Sequence, residues 1–495
     1  MKSFFGVFCF KKGAIMYDII IIGAGINGAL LAQRLSKYQL RVAVLEKDND
    51  VGNEATAANS AIIHAGHDPK DNTLKARLNV RGNHLWQALC QELDVDFVRN
   101  GAFVVAICEQ ELSPLNDLYQ QAQRRQIPSR LLNRDEALAL EPNLSDHVLQ
   151  ALDLPSTAIV SPWEVTVAAM EDAMNHGVEL FLNNQVQAIA QLADHFQITT
   201  KQGQVTSRYI INAAGIYSDE IYAMVSNREG YRLIPRKGEY YVLDRSDTPV
   251  VSRTIYPIPT QFGKGVLVVP TIHNNVLIGP SSEIIQDKEG KANTASALDF
   301  IKAAASKTVK NIPMHTVIRT YVGVRPTHED YDFIIEEAPD VQRFINLIGI
   351  DSPGLAAAPA ISEYVVDHLL HPKLNLKLKT KPRLKRRPWL ILNRLSIAQK
   401  QDLFHQDARF GKMVCRCELV SEAEIVDVIH RNAGAKTLKA VKRRVRAGAG
   451  RCQGGFCEPR VVQILARELN IDPTEVVLDS DDSNILVGYT KESQA

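Results

Sequence analysis

Two groups of residues have the types and spacings to do chemistry. The first is a cysteine quartet: Cys415-x-Cys417, then 34 residues, then Cys452-x4-Cys457. Four thiolates can hold a 2Fe–2S cluster or a tetrahedral zinc ion, and the spacing does not choose between them. Cys9, Cys90 and Cys108 are isolated. The pattern is therefore a ligand set in a reducing, cytoplasmic setting rather than a secreted disulfide framework. The second group is Gly23-Ala24-Gly25-Ile26-Asn27-Gly28, which follows the apolar run Ile19–Ile22. Beyond it, Leu31 and Leu35 mark a helical stripe, and Val42–Leu45 makes a second strand ending on Glu46. Strand, glycine turn, helix, strand and acid in that order make a dinucleotide-binding unit. Gly23 permits the turn, Gly25 lets backbone approach a pyrophosphate, and Gly28 lets helix and strand pack. The helix N-terminus offers unpaired N–H groups to phosphate, and Glu46 can accept from ribose hydroxyls. The unit does not distinguish FAD from NAD.

The elements that must position these groups extend over 495 residues, enough for more than one domain. A net charge of +1 gives no global argument for nucleic acid or a membrane surface, and no run approaches the roughly 20 apolar residues of a spanning helix. The head, MKSFFGVFCFKKGAI, lacks a clear signal-peptide core, and reads as a non-native upstream start with Met16 as the functional beginning. After Glu46 comes a long polar loop, then a helix near Leu74–Leu89. Strands are expected at Gly101–Ile107, Val178–Leu182, Val186–Ala190 and Phe344–Ile350. Helices are expected at Pro162–Asn175, 296–310, Leu355–Leu370 and 458–470. Short strands from Tyr231 to Ile285 predict an antiparallel sheet. The segment His371–Arg387 mixes Lys373, Lys377, Lys379, Lys381, Arg383, Lys385, Arg386 and Arg387 with prolines. It reads equally as a solvated linker or as a docking site for an acidic partner.

At Asn212-Ala213-Ala214-Gly215-Ile216-Tyr217-Ser218-Asp219 a second small-residue turn follows a buried strand, and at Ser352-Pro353-Gly354-Leu355 a third turn precedes a helix. With the first unit they resemble the D-amino-acid-oxidase-like FAD oxidoreductases. Further motifs narrow that resemblance: Ala58-Asn59-Ser60-Ala61-Ile62-Ile63-His64-Ala65-Gly66, Thr73-Leu74-Lys75-Ala76, Arg236-Lys237-Gly238-Glu239-Tyr240 and Gly323-Val324-Arg325-Pro326. They look like the branch holding glycerol-3-phosphate oxidases and dehydrogenases and L-2-hydroxyglutarate oxidases, nearest the type 2 glycerol-3-phosphate oxidases. The cysteine region resembles the bacterioferritin-associated-ferredoxin-like 2Fe–2S domain. That extension departs from a simple oxygen-using oxidase.

The resemblance implies an α/β FAD-binding Rossmann-like domain with an interleaved antiparallel-sheet substrate domain, plus a small helical C-terminal four-cysteine metal domain. The expected division is an N-terminal extension at 1–16; FAD-binding parts at 17–92, 161–225 and 323–372; and substrate-domain parts at 93–160 and 226–322. A basic linker at 373–410, the cluster domain at 411–480 and a tail at 481–495 complete it. FAD contacts are implied at Gly23, Gly25, Asn27, Gly28, Glu46, Lys47, Asn59, Ser60, Ala61, Val186, Ala213, Ala214, Gly215, Ser352, Gly354 and Leu355. Around the substrate the resemblance places His64, Arg325, Ser352 and Lys264.

Histidine titrates near neutrality, so His64 is the natural base for an alcohol proton; it could instead order its loop or touch the flavin. His67 reads as a solvated loop residue. Arg325 offers a planar fork for phosphate or carboxylate, or a structural salt bridge. Lys264 is a mobile cation or an exposed strand lysine, and Ser352 a substrate or flavin contact or a helix N-cap. The activity implied is oxidation of glycerol 3-phosphate to dihydroxyacetone phosphate, with electrons passing onward through a cluster held by Cys415, Cys417, Cys452 and Cys457. Oxidation of L-2-hydroxyglutarate or another small hydroxy or amino acid, and an electron-transfer subunit of a larger complex, stay open. So do a protein electron acceptor and attachment to the inner face of a membrane. Lys436, Lys439, Lys442, Arg443, Arg444 and Arg446 either stabilise an anionic cluster or form a solvated helix face.

Overall fold

The computed structural model describes residues 16–228, 230–259, 265–381 and 384–491. The expectations for the first fifteen residues, for Lys264, and for Pro382 and Arg383 of the basic run lie outside the described residues. Met16–Ile22 is the central strand of a largely parallel sheet, paired with Val42–Leu45 on one side and Gly203–Asn212 on the other. Ile19 and Ile21 pack into one apolar cluster, whereas Ile20 and Ile22 pack into another on the opposite face. Both faces of the strand are thus covered, which is why the run is continuously apolar instead of alternating. Glu179–Phe181 and Phe344–Ile348 extend the parallel part; Val186–Gln191, Phe196–Thr200 and Ile334–Glu337 add antiparallel edges. Helices Ile26–Leu35, Leu74–Leu93, Pro162–Asn175 and Gly354–Tyr364 share the first cluster, and Trp86 Nε1 of the second donates to the Ala356 carbonyl of the fourth at 3.0 Å.

The second sheet has nine strands. Its long elements, Leu233–Leu243 and Val317–His328, pair antiparallel along nearly their whole length. The sheet also takes Ala102–Ala106 and Gln150–Asp153 from far earlier in the chain. One of its pairings, Thr254–Pro257 against Ala102–Val105, is parallel, because two distant segments meet there with no hairpin between them.

Residues 413–469 form a separate small core of three helices, Glu422–Ile429, Leu438–Val445 and Glu458–Leu469, beside a two-stranded ladder. Two clamps seat it on the first domain. Arg444 grips Asp50 with both terminal nitrogens, at 2.7 and 2.8 Å, and Glu171 is held by Arg386 at 3.0 Å and by Arg431 at 3.1 Å. All five side chains are at most 5% exposed. The connector is therefore not simply solvated. Most of its described cations face water, but Arg386 is buried and also donates to the Leu93 carbonyl at 2.7 Å. Nor is Leu438–Val445 a solvated basic face: Arg443 and Arg444 turn into the seam toward Asp50. A second difference lies at 355–370, where the α-helix ends at Tyr364 and the chain continues in a wider π-turn to Leu370.

Candidate active site and cysteine centre

The parallel strands Met16–Ile22, Val42–Leu45, Gly203–Asn212 and Phe344–Ile348 all run the same way. Their carboxyl ends therefore lie along one edge. The glycine turn, Glu46, Ala213–Gly215 and the Ser352–Leu355 turn follow those ends directly, so distant segments meet there. They border a cavity of about 1540 Å³, walled on its far side by Arg236, Tyr240 and Arg325 of the second sheet. Of the described residues expected here, all but Gly28 and Ala61 line this cavity. Gly28 sits behind the wall, where an added methyl would strike the Gly23 carbonyl oxygen. Ala61 holds the loop in a left-handed conformation, φ 60°, its amide donating to Asn59 Oδ1 at 2.7 Å.

At one end of the cavity Glu46 is buried and accepts from the Ala24 amide at 2.6 Å and the Asp48 amide at 3.0 Å. Burial, with the Asp48 charge adding to it, pushes its carboxyl up to about 7 against these two bonds. Lys47 turns to Asp48 and Glu54, both at 2.9 Å. At the other end His64 Nδ1 meets Tyr256 Oη at 2.9 Å, and its carbonyl accepts from Asn79 and Asn83. Burial holds the Tyr256 phenol protonated, well above its ordinary range. His67 is not solvated: it is 1% exposed and packs edge-on against the same tyrosine.

Arg325 donates to the carbonyls of Ser281 at 2.9 Å, Lys237 at 3.3 Å and Arg236 at 3.4 Å. It makes no salt bridge among the described residues, and burial lowers its pKa. Ser352 is exposed and does not cap a helix. The following helix starts at Gly354 behind Pro353, with no side-chain cap. The turn is pinned instead by Asp351, which takes Lys75 Nζ at 2.6 Å and Thr327 Oγ1 at 3.0 Å.

The four cysteines of the small domain converge in pairs. Cys415 and Cys417 lie 3.7 Å apart through their sulfurs, Cys457 donates to Cys415, and Cys417 meets Cys452. Backbone N–H groups of Gly448 and Glu418 point at Cys415, and those of Gly454 and Phe456 at Cys452. The Cys457 thiol and these amides draw the Cys415 thiol below its usual range. Gly450 closes over the group, where a Cβ would stand 2.5 Å from Cys417 Sγ. No set of three or more such side chains among the described residues is arranged round a single ion. Four thiols meeting pairwise, with amides aimed at their sulfurs, suit a two-iron cluster with four thiolate ligands. Of the nearby cations, Lys442 reaches the ligand loop, donating to Gln453 at 3.1 Å, and Arg446 holds Glu418 at 2.8 Å.

The cavity fits FAD on its own evidence. It is larger than the usual small-ligand pocket, it lies at the carboxyl edge of a parallel sheet, and Asn27 Oδ1 is buried at the glycine turn with no hydrogen-bond partner. The family model described as FAD dependent oxidoreductase (DAO) matches residues 18–368. The chain belongs to this family. The model of the BFD-like [2Fe-2S] binding domain matches residues 413–467. This DAO-family protein is thus an FAD-dependent oxidoreductase carrying a 2Fe–2S domain. It is 47% identical over 479 residues to a glycerol 3-phosphate dehydrogenase of Caloramator mitchellensis, covering 96% of this chain and 99% of the relative. It is 30% identical over 374 residues to the glycerol 3-phosphate oxidase of Mycoplasma genitalium, covering 74% of this chain and 96% of the relative. Among solved structures, dithionite-reduced L-α-glycerophosphate oxidase of Mycoplasma pneumoniae with FAD bound aligns with a TM-score of 0.71 at 28% identity. That alignment covers 76% of this chain and all of the other.

Three cavity or near-cavity residues are not singled out by the sequence. Lys75 and Arg236 stand inside the motifs named above, but a motif does not say which of its members faces a ligand. Tyr256 lies in an unremarkable strand, and only the fold brings it to His64.

Proposed function

We propose that this oxidoreductase converts glycerol 3-phosphate to dihydroxyacetone phosphate and passes the electrons, one at a time, to a protein acceptor through its cysteine domain. The carrying observation is that His64, a titratable ring, and Arg325, a half-buried cation with no carboxylate partner among the described residues, line the same cavity. The likeness to the Caloramator dehydrogenase, which extends over the cysteine domain's share of the chain, supports the substrate. Bound flavin supplies the two-electron acceptor, and a bound cluster one-electron transfer. The chain's own residues do the rest. With its proton on Nδ1, donated to Tyr256, His64 presents the Nε2 lone pair to the substrate hydroxyl, and takes that proton as the carbinol hydrogen leaves. Arg325 fixes the anionic end of the substrate, and the Ser352 hydroxyl orients the alcohol. Glu46 accepts the ribose hydroxyls on the carboxylate lone pairs left beside the bonds from the Ala24 and Asp48 amides. A metal-ligand role for the four cysteines supports a reducing, cytoplasmic setting, and peripheral attachment to the inner membrane face fits a membrane-bound acceptor.

The test is anaerobic mixing of the holoenzyme with candidate substrates while flavin absorbance is followed. Glycerol 3-phosphate is expected to bleach the flavin faster than L-2-hydroxyglutarate, and His64→Ala to slow bleaching about 100-fold or more. Faster bleaching by L-2-hydroxyglutarate would reject the substrate; an unchanged rate in the histidine variant would reject the base.

A further inference from the structure

The paired strands Leu233–Leu243 and Val317–His328 set Arg236 directly opposite Arg325. Like charges in opposed positions of an antiparallel pair repel. Both arginines line the cavity, and neither forms a salt bridge among the described residues. The next residue on the strand behaves differently: Lys237 is buried and held by Glu239 and Glu283, each at 3.0 Å. Arg236 is loosely held, its guanidinium 5.7 Å from the centre of the Tyr331 ring. Its Nη1 reaches Ser282 Oγ at 3.5 Å and its Nη2 reaches Tyr331 Oη at 3.4 Å, both at the limit of a hydrogen bond. Its Nε is buried with no hydrogen-bond partner among the described residues. Arg325 spends Nε and Nη2 on carbonyls, which fixes its plane and leaves Nη1 without a partner among the described residues.

Two guanidinium groups side by side on one cavity wall, with the nearby Asp351 carboxylate already paired to Lys75, carry two positive charges that a single carboxylate would only half neutralise. A phosphate monoester is dianionic at neutral pH and offers three oxygens, enough to engage both forks. We propose that Arg236 is a specificity-determining residue, the second half of a dianion clamp with Arg325 that selects phosphate monoesters over monocarboxylates at this end of the cavity. The clamp rests on the phosphate-ester substrate proposed above and adds a residue to its site. Arg325 is the fixed half, held by three carbonyls. Arg236 is the adjustable half, able to leave its two weak contacts when an anion arrives.

The experiment uses the holoenzyme, Arg236→Gln and Arg236→Lys, with two probes: inorganic phosphate and glycerol 3-phosphate. Binding is read from the perturbation of oxidised flavin absorbance, and anaerobic reduction is followed separately. Arg236→Gln is expected to weaken phosphate binding and raise the half-saturating glycerol 3-phosphate concentration about tenfold or more, the loss of one charge-assisted contact. Its reduction rate at saturation falls far less, and reduction by glycerol, which has no phosphate, falls less than reduction by glycerol 3-phosphate. Arg236→Lys recovers part of the affinity. Wild-type affinity for both probes in Arg236→Gln would overturn the clamp, as would a loss equally large for glycerol, which marks a structural role. If wild type is not reduced by glycerol 3-phosphate but Arg236→Gln still loses phosphate binding, the clamp stands and the proposed substrate falls. If wild type is reduced and Arg236→Gln behaves identically, the substrate stands and the clamp falls.

Discussion

The seam beneath the cysteine domain buries its arginines and the wall of the flavin cavity half-buries its own, and the two treat them in opposite ways. In the seam every guanidinium ends on a carboxylate: Arg444 on Asp50 and Arg386 and Arg431 on Glu171, with side chains almost wholly excluded from water. In the cavity Arg325 ends on carbonyls, and Arg236 on two stretched contacts. Glu46, at the other end, has two amides and no cation, since Lys47 turns away to Asp48 and Glu54. A buried charge without a counter-charge is costly unless a ligand supplies one. The seam's charges are balanced within the chain, whereas those of the cavity wall are balanced only when it is filled. The same residue type therefore reports attachment in one place and recognition in the other, and the partner distinguishes them.

The largest effect expected tests whether the two regions are separate sites. Cys415→Ser with Cys417→Ser removes two of the four thiolates that meet in the small domain. We expect iron and sulfide to be lost completely, with turnover toward a one-electron acceptor lost as well. Substrate bleaching of the flavin should persist, because the cavity takes no residue from beyond 355. Metal analysis and anaerobic spectra check both halves. Stoichiometric zinc without iron in the wild type would remove the electron-transfer role, and lost bleaching in the variant would show that the two sites are not separable.

The next effect is a difference in stability. Asp50→Ala strands Arg444, and in part Arg443, inside the seam. Removing one partner of a buried pair costs about 3–5 kcal/mol, read as a fall in urea stability of the cysteine domain's transition. Arg325→Met in the cavity loses carbonyl bonds but also removes a desolvated cation facing Arg236, so its net cost should stay below about 1.5 kcal/mol, the size of one ordinary hydrogen bond. Equal losses in the two variants would break the comparison.

How much of this was legible depended on how far apart the cooperating residues lie. The glycine turn and the cysteine quartet are compact in sequence, and each states its chemistry through residue type and spacing. Strands 16–22, 42–45 and 344–348 could be read because burial on both faces forces continuous apolar runs. What sequence could not carry was register. Arg325 lies 89 positions from Arg236, and only the pairing of two strands sets them face to face. The seam was misread for the same reason. Arg386 and Arg444 look like solvated cations until the fold brings Glu171 and Asp50 from distant segments to meet them.

The smallest effect concerns the cavity's acid. Burial raises Glu46 from the ordinary carboxyl range to about 7, and the nearby Asp48 charge pushes the same way. A carboxyl that binds its proton more tightly in the folded state contributes stability that is fully present below its unfolded pKa. That contribution is lost as pH rises through its folded value. In the flavin-free protein the loss should therefore run from about pH 4.5 to about pH 7, as the proton leaves a buried site where the Lys47 charge is outweighed by burial and the Asp48 charge. Glu46→Gln cannot ionise and should not share that loss. Its stability relative to wild type, measured by urea unfolding after flavin is stripped, should rise across this interval and level off above it. Carboxyls that do not interact with Glu46 titrate alike in both proteins and cancel in the difference, and Asp48, whose charge Glu46 feels, is part of the effect being read. With FAD bound the sign should reverse, because an ionised carboxylate accepts ribose hydroxyls more strongly than an amide oxygen does. The variant should then hold flavin more weakly at pH 8 while its empty form is the more stable one. A difference that does not change with pH would mean that Glu46 is already matched within the chain. The cavity would then resemble the seam at this end.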